Sequence, residues 1–377
     1  MALTPSTDNI IALLGQRHRV CQVSVDLTNW QLAEILGPMQ VPFPELTKLK
    51  LHSTGTPAIP DSFLGGSAPR LRIVDLRNIS FPGLPNLLLS ATYLVELCLT
   101  NIPHYISPET IVALLSVLSS LESLHLNFKL GSLPDWGTRR PPPSKRSIIP
   151  ALTSLVFHGV IEYLEDIVTG IETPRFEDMD ISLDNDYINL DTSPLAQFIN
   201  RTPKFTKPNA HVEFFNHCVC FVLRPGLRTL DITLPCVGPD YQLSSIKQVC
   251  NSSLRPLSTV ASLYIDIRHS RLAWTDDAVD DTLWLQLLFP FTAVKNLYLS
   301  KEISPGLAAA LQELVGGRIT EVLPNLQNIF VEGLELSGPF QENIGHFVAA
   351  RQLSGHPVTI SDCTISDWDR DSDIESM

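Results

Sequence analysis

The stretch Leu46-Thr-Lys-Leu49-Lys-Leu51 decides the fold, because its spacing of apolar residues returns along nearly the whole chain. Clear copies are Leu71/Val74/Leu76, Leu94/Leu97/Leu99, Leu121/Leu124/Leu126 and Leu152/Leu155/Phe157. The spacing resumes as Leu227/Leu230/Ile232, Val260/Leu263/Ile265, Val294/Leu297/Leu299 and Leu326/Ile329/Val331. An earlier copy stands at Val20/Val23/Val25 and a weaker one at Phe176/Met179/Ile181. Opening positions advance by 26, 25, 23, 27 and 31 residues from Val20 to Leu152, and by 33, 34 and 32 from Leu227 to Leu326. The lengthening steps describe a divergent array.

Alternation explains the unit. Along a strand, successive side chains face opposite sides. Leu49 and Leu51 therefore point into a core while Lys48 and Lys50 point the other way, and Leu46 enters as the chain turns into the strand. Repeats of this length that stack side by side predict an α/β fold. It is a leucine-rich-repeat solenoid (horseshoe) with a parallel inner sheet and outer helices. Three outer helices have clear start signals. Asn29 to Leu36 is capped by Asn29 and stopped by Gly37-Pro38. Ser107-Pro108-Glu109 opens a helix through Leu118, and Ser304-Pro305 opens one through Val315 that Gly316-Gly317 closes. Asp281 to Leu288 is a fourth candidate.

The array is expected over residues 1–360, with the first repeat near residue 20 and a basic, proline-rich loop at 131–150. Residues 361–377, with six acids, read as an acidic, disordered tail. Repeat register across 176–227 stays open, and His211 to Val222 reads as one long β-branched and aromatic strand.

With 27 basic and 40 acidic residues the formal charge is −13, which disfavours nucleic acid and anionic membrane surfaces as partners. Seven scattered cysteines form no Cys-x-x-Cys pair and read as reduced thiols. No secretory leader and no apolar run of about 18 residues is visible, so a cytoplasmic or nuclear protein without a membrane partner is expected.

Chemistry-bearing clusters are few. His211, His217, Cys218 and Cys220 are the nearest to a zinc set, but on one strand the histidines and cysteines would face opposite sides. Asp276, Asp277, Asp280 and Asp281 lack calcium-loop spacing and suit a solvated helix start. No phosphate loop, nucleophile elbow or His-Glu-x-x-His motif occurs. No catalytic residue, metal or cofactor is expected, and the chain reads as a non-enzyme.

Function should then lie on the inner face. Its central positions run Ser24, Lys50, Asp75, Cys98, His125, Val156, Asp180, Asp231, Tyr264, Tyr298 and Phe330. Tyr264, Tyr298 and Phe330, with Asp231 and Asp180 beside them, are the expected partner-binding residues, since aromatics anchor interfaces. Truncating the three aromatics should weaken partner capture and leave stability nearly unchanged.

Several stretches carry a family resemblance. They include Trp30-Gln-Leu-Ala-Glu-Ile-Leu-Gly-Pro-Met-Gln-Val-Pro-Phe43, Arg139-Arg-Pro-Pro-Pro143 and Gly159-Val-Ile-Glu-Tyr-Leu-Glu-Asp166. Phe291-Thr-Ala-Val-Lys-Asn-Leu-Tyr-Leu299, Leu311-Gln-Glu-Leu-Val-Gly-Gly-Arg318 and Ala349-Ala-Arg-Gln-Leu-Ser-Gly-His-Pro357 belong with them. The chain resembles F-box-type leucine-rich-repeat proteins of mushroom-forming fungi. That resemblance implies a non-catalytic interaction scaffold, the substrate-recognition part of a cullin-type ubiquitin ligase. In that family an F-box ahead of the repeats docks on the ligase's small adaptor. Here the first repeat begins at Val20 and leaves no room for one, so adaptor binding is expected only if an F-box lies upstream. The alternative is a free-standing binding or sensor module with an unidentified protein partner and no ligase link.

Overall fold

A computed structural model describes residues 7–103, 105–128, 146–184, 193–205, 209–224, 230–252, 254–268, 280–314, 318–334 and 339–364. The expected basic loop lies almost wholly outside them, as do Asp276, Asp277, Gly316, Gly317 and the tail beyond residue 364. The chain divides into two compact units, Met1–Phe176 and Glu177–Met377. Both are mixed α/β, with mostly parallel strands in a sheet that does not close on itself.

In the first unit the strands are β1 (Gln22–Leu27), β2 (Lys48–Ser53), β3 (Ile73–Arg77), β4 (Glu96–Ile102), β5 (Ser123–Phe128) and β7 (Ser154–Gly159). A short pair, β6 (Ser147–Ile148) and β8 (Ile171–Glu172), lies apart from them. The six main strands pair in sequence order, all parallel. Register is set by the repeated apolar unit: Val23 meets Leu49, Leu49 meets Val74, Val74 meets Leu97, Leu97 meets Leu124 and Leu124 meets Leu155. Those residues are buried, and their strand neighbours form the opposite face.

A second device holds the register. The carbonyl just after each opening apolar residue accepts two N–H groups from the next repeat. Cys21 accepts from Thr47 and Lys48, Thr47 from Arg72 and Ile73, Arg72 from Val95 and Glu96. Val95 accepts from Glu122 and Ser123, and Glu122 from Thr153 and Ser154. Every turn into a strand thus satisfies backbone donors that would otherwise be buried without a partner.

The helices are α1 (Thr7–Leu14), α2 (Asn29–Leu36), α3 (Leu84–Ser90), α4 (Pro108–Val117) and α5 (Ile161–Gly170). At α2 the cap is Thr28 rather than Asn29, with its N–H donating to Gln31 Oε1 at 3.1 Å. The residue one place earlier has the extended backbone that a cap needs, and Gln31 sits three residues on. The α4 cap is as expected: Ser107 Oγ accepts the Thr110 N–H at 3.2 Å. Helices α4 and α5 approach so closely at Gly170 that a Cβ there would lie 2.9 Å from Val112 Cγ2.

The second unit holds β9 (Asp178–Leu183), β10 (Asn209–Phe214), β11 (Cys218–Arg224), β12 (Leu230–Pro235), β13 (Ser262–Ile267), β14 (Asn296–Leu299), β15 (Asn328–Glu332) and β16 (Thr359–Cys363). Its helices are α6 (Pro194–Arg201), α7 (Pro239–Asn251), α8 (Asp281–Leu288), α9 (Ser304–Gln312) and α10 (Pro339–Leu353), and α7 to α10 pack in succession. Asp280 Oδ1 caps α8 by accepting the Thr282 N–H at 2.9 Å. Helix α9 ends at Gln312, short of the expected Val315. The expected tail also begins too early, because Ser361–Cys363 pair with Phe330–Glu332 as the last strand.

The strand order β9-β12-β11-β10-β13-β14-β15-β16 corrects the reading of residues 211–222 as one strand. They form a hairpin, β10 and β11 antiparallel, closed where the Phe215 N–H donates to the Cys218 carbonyl at 2.9 Å. β11 alone runs against the others, between β12 and β10. Fully buried Gln242, on α7, secures its turn: Nε2 donates to the carbonyls of Phe215 at 2.7 Å and Cys236 at 3.1 Å. Arg351 does similar work at the C-terminal end. From complete burial it donates to the carbonyls of Ile319 at 3.2 Å and Leu326 at 3.1 Å.

Replacing Gln242→Leu keeps the volume and strips those donors from buried carbonyls. Urea unfolding should show a loss of about 1–3 kcal/mol, and a change within error would mean that the turn carbonyls find other donors.

Candidate functional site

Strand pairing turns the inner face of the second unit into rows. The central row runs Asp180, Asp231, Val222, His211, Tyr264, Tyr298, Phe330 and Ser361. The structure therefore brings Tyr264, Tyr298 and Phe330 together as expected, and sets Asp231 directly beside Asp180. His211 heads the aromatic series, which sequence reasoning missed because the hairpin hid its register.

The four rings form a stack. Centroids are 4.4 Å apart for His211–Tyr264, 4.2 Å for Tyr264–Tyr298 and 4.6 Å for Tyr298–Phe330, with interplanar angles of 6°, 11° and 14°. The cause is geometric: one position on neighbouring strands recurs every ~4.8 Å, close to the separation that flat rings prefer in offset stacking. Burial, with Arg224 and Arg268 adding repulsion, lowers the His211 pKa to about 3, so its ring is neutral at physiological pH.

Exposure corrects the expected role of these rings. Tyr264 is 1% and Tyr298 9% exposed, and only Phe330 is half-buried. Cys363 packs in the same cluster. The aromatics are core, so truncating them cannot leave stability unchanged.

Polar rows flank the stack. On one side Asn328 Nδ2 donates to Asn296 Oδ1 at 2.8 Å, and the Thr359 hydroxyl donates to Asn328 Oδ1 at 2.7 Å. On the other lie Glu213, Asp266 and Glu332, with Arg268 Nε 2.7 Å from Asp266 Oδ2 and its Nη2 3.8 Å from Glu213 Oε1. At the β9 end Asp231 meets Asp180, with Asp178 on the same face. Burial first, then repulsion from Asp180 and Glu213, raises the Asp231 pKa to about 6, and Arg224 only partly offsets this. Its Oδ1 is buried without a hydrogen-bond partner. Asp180 is exposed.

The proposed zinc set does not assemble as one strand would place it. His211 and Cys220 share the inner face, since His211 opposes Val222 and Glu213 opposes Cys220 across the hairpin. Among the described residues no group of three or more His, Cys, Asp or Glu could hold a metal ion.

In the first unit the inner face carries a different cluster, centred on Asp75, which is 1% exposed. Lys50 Nζ lies 3.5 Å from Asp75 Oδ2, His52 Nε2 lies 3.2 Å from the same oxygen, and Arg77 Nε donates to Oδ1 at 3.1 Å. Burial works to raise the Asp75 pKa, but hydrogen bonds from Arg77 and His52 prevail and hold it below the usual carboxylate range. Burial likewise raises the neighbouring Cys98 thiol. Sequence held the clue, because Lys50 opposes Asp75 and His52 opposes Arg77 once the repeats are aligned.

No family model matches the chain, and no curated protein matches it. Among the described residues no helix is long and apolar enough to cross a membrane.

Two outcomes follow from burial. Tyr264→Ala should cost about 3–5 kcal/mol by chemical denaturation, whereas a loss under about 1 kcal/mol would return the ring to the surface. Asp231→Asn should stabilise by on the order of 1–2 kcal/mol at pH 7.5. The folded-state pKa near 6 exceeds the unfolded value of 3.8, so the cost of the charge is full above pH 6. It disappears as pH falls through that window, and wild type and variant should unfold alike near pH 4. An equal difference at both pH values would show that Asp231 is not the titrating group.

Proposed function

We propose that the chain is a leucine-rich-repeat solenoid acting as a non-catalytic protein-interaction scaffold in the cytoplasm or nucleus. The observation that carries this reading is the aligned register of successive strands, with a doubly accepting carbonyl after the first apolar residue at Cys21, Thr47, Arg72, Val95, Glu122, Ala261 and Lys295. Stacked units of this kind set one side chain per repeat in each row of an extended face. With its rings buried, the outward-facing part of the second unit's face is chiefly acidic, through Asp178, Asp180 and Asp231 near β9 and Glu332 further along. Such a face favours a protein segment bearing lysine or arginine.

The resemblance to F-box-type repeat proteins gives the scaffold a role, that of holding a protein for a cullin-type ubiquitin ligase. A free-standing binding module is the second reading.

Proximity labelling in cells, with the wild type beside Asp178→Lys/Asp180→Lys, tests the scaffold. A subset of labelled proteins should fall by about tenfold in the variant, the loss of about 1.4 kcal/mol of binding, with the melting temperature held. Identical labelling would sink the acidic face as the docking surface. Appearance of the ligase's small adaptor among the labelled proteins favours the first reading, and its absence the second.

A further inference from the structure

In the first unit a cavity of about 360 Å³ opens between the connections that leave β3 and β4. Its walls are Leu76, Ile79, Phe81, Leu84 and Leu99, all at most 5% exposed. Half-buried Ser107 and Thr110, at the start of α4, also line it. It arises where the repeat is irregular. The pairing of β4 with β5 slips between Thr100 and Ile102, and Asn101 has a φ of 53°.

Interiors are close-packed, with few voids larger than a water molecule. A space this size lies within the range of small-molecule sites and is more than twice the ~150 Å³ of an apolar cavity that holds benzene. Its described lining carries no charged side chain and is chiefly aliphatic, so apolar groups gain most by entering it. The Ser107 hydroxyl already accepts the Thr110 N–H and lies 3.0 Å from Thr110 Oγ1, which still leaves this pair one O–H donor and acceptor sites for a ligand hydroxyl.

We propose that this cavity binds a neutral, mainly apolar small molecule of bicyclic size whose single hydroxyl meets the Ser107–Thr110 pair. The site is separate from the inner-face rows and does not rest on the scaffold reading.

The test is fluorescence titration of the full chain with 2-naphthol, with naphthalene-2-sulfonate as the charged counterpart. Saturable 2-naphthol binding is expected, accompanied by a rise in melting temperature, with the sulfonate about tenfold weaker. Thr110→Phe fills the space from α4 while leaving the backbone N–H that Ser107 caps, and should weaken 2-naphthol binding by about tenfold or more. Ile106→Trp, also at the lining, should weaken binding likewise and supplies a second variant if the first fails to fold, while Tyr241→Ala, on the exposed face of α7 in the second unit, should preserve it. The proposal is overturned if 2-naphthol does not saturate up to its solubility, if the folded Thr110→Phe protein binds it as the wild type does, or if the sulfonate binds equally well. Loss of binding in Tyr241→Ala with the fold intact would likewise move the ligand away from this cavity.

Discussion

Everything in the two units depends on one backbone constraint, the parallel register between equivalent strands of successive repeats. At seven of the repeats the carbonyl after the opening apolar residue takes two N–H groups from the next repeat, so a slip of one residue would break both bonds. The same slip would turn every buried leucine to the inner face. In the second unit the Ala261 carbonyl accepts from Lys295 and Asn296, and the Lys295 carbonyl from Gln327 and Asn328. The two units therefore share one local rule despite their different repeat lengths.

Register has a chemical consequence, since it places like positions one strand apart. Where the row holds flat rings, they stack and exclude water. Where it holds amides, they form a hydrogen-bonded ladder. Where it holds carboxylates, as at Asp180 and Asp231, they repel, and burial compounds the repulsion. At Asp75 the same geometry is favourable, because three cationic or basic neighbours from β2 and β3 meet one acid.

Departures from the repeat are where side chains from the helices take over. Reversing β11 leaves turn carbonyls that no neighbouring strand reaches, and Gln242 supplies the donors from α7. The loop before β15 turns several carbonyls inward, and Arg351 meets them from α10. A buried polar side chain is tolerated in both places because the alternative is an unpaired carbonyl. Beside the slipped end of β4 the described residues leave a cavity.

The sequence by itself determined the strands around each Leu-x-Leu pair, the cap at Ser107, and the row that unites Tyr264, Tyr298 and Phe330. These follow from local periodicity and capping chemistry, which a reader can count. It did not reveal the hairpin, because an uninterrupted run of β-formers from His211 to Val222 gives no turn residue stronger than Asn216. Nor did it reveal that the rings are buried or that His211 joins them, since burial depends on what packs from elsewhere in the chain. Charge behaved likewise: Asp75 and Asp231 are equivalent row positions, yet one is held ionised and the other is pushed toward its neutral form. Only the tertiary structure decided between them, because the sign of the shift is set by neighbours brought together across strands.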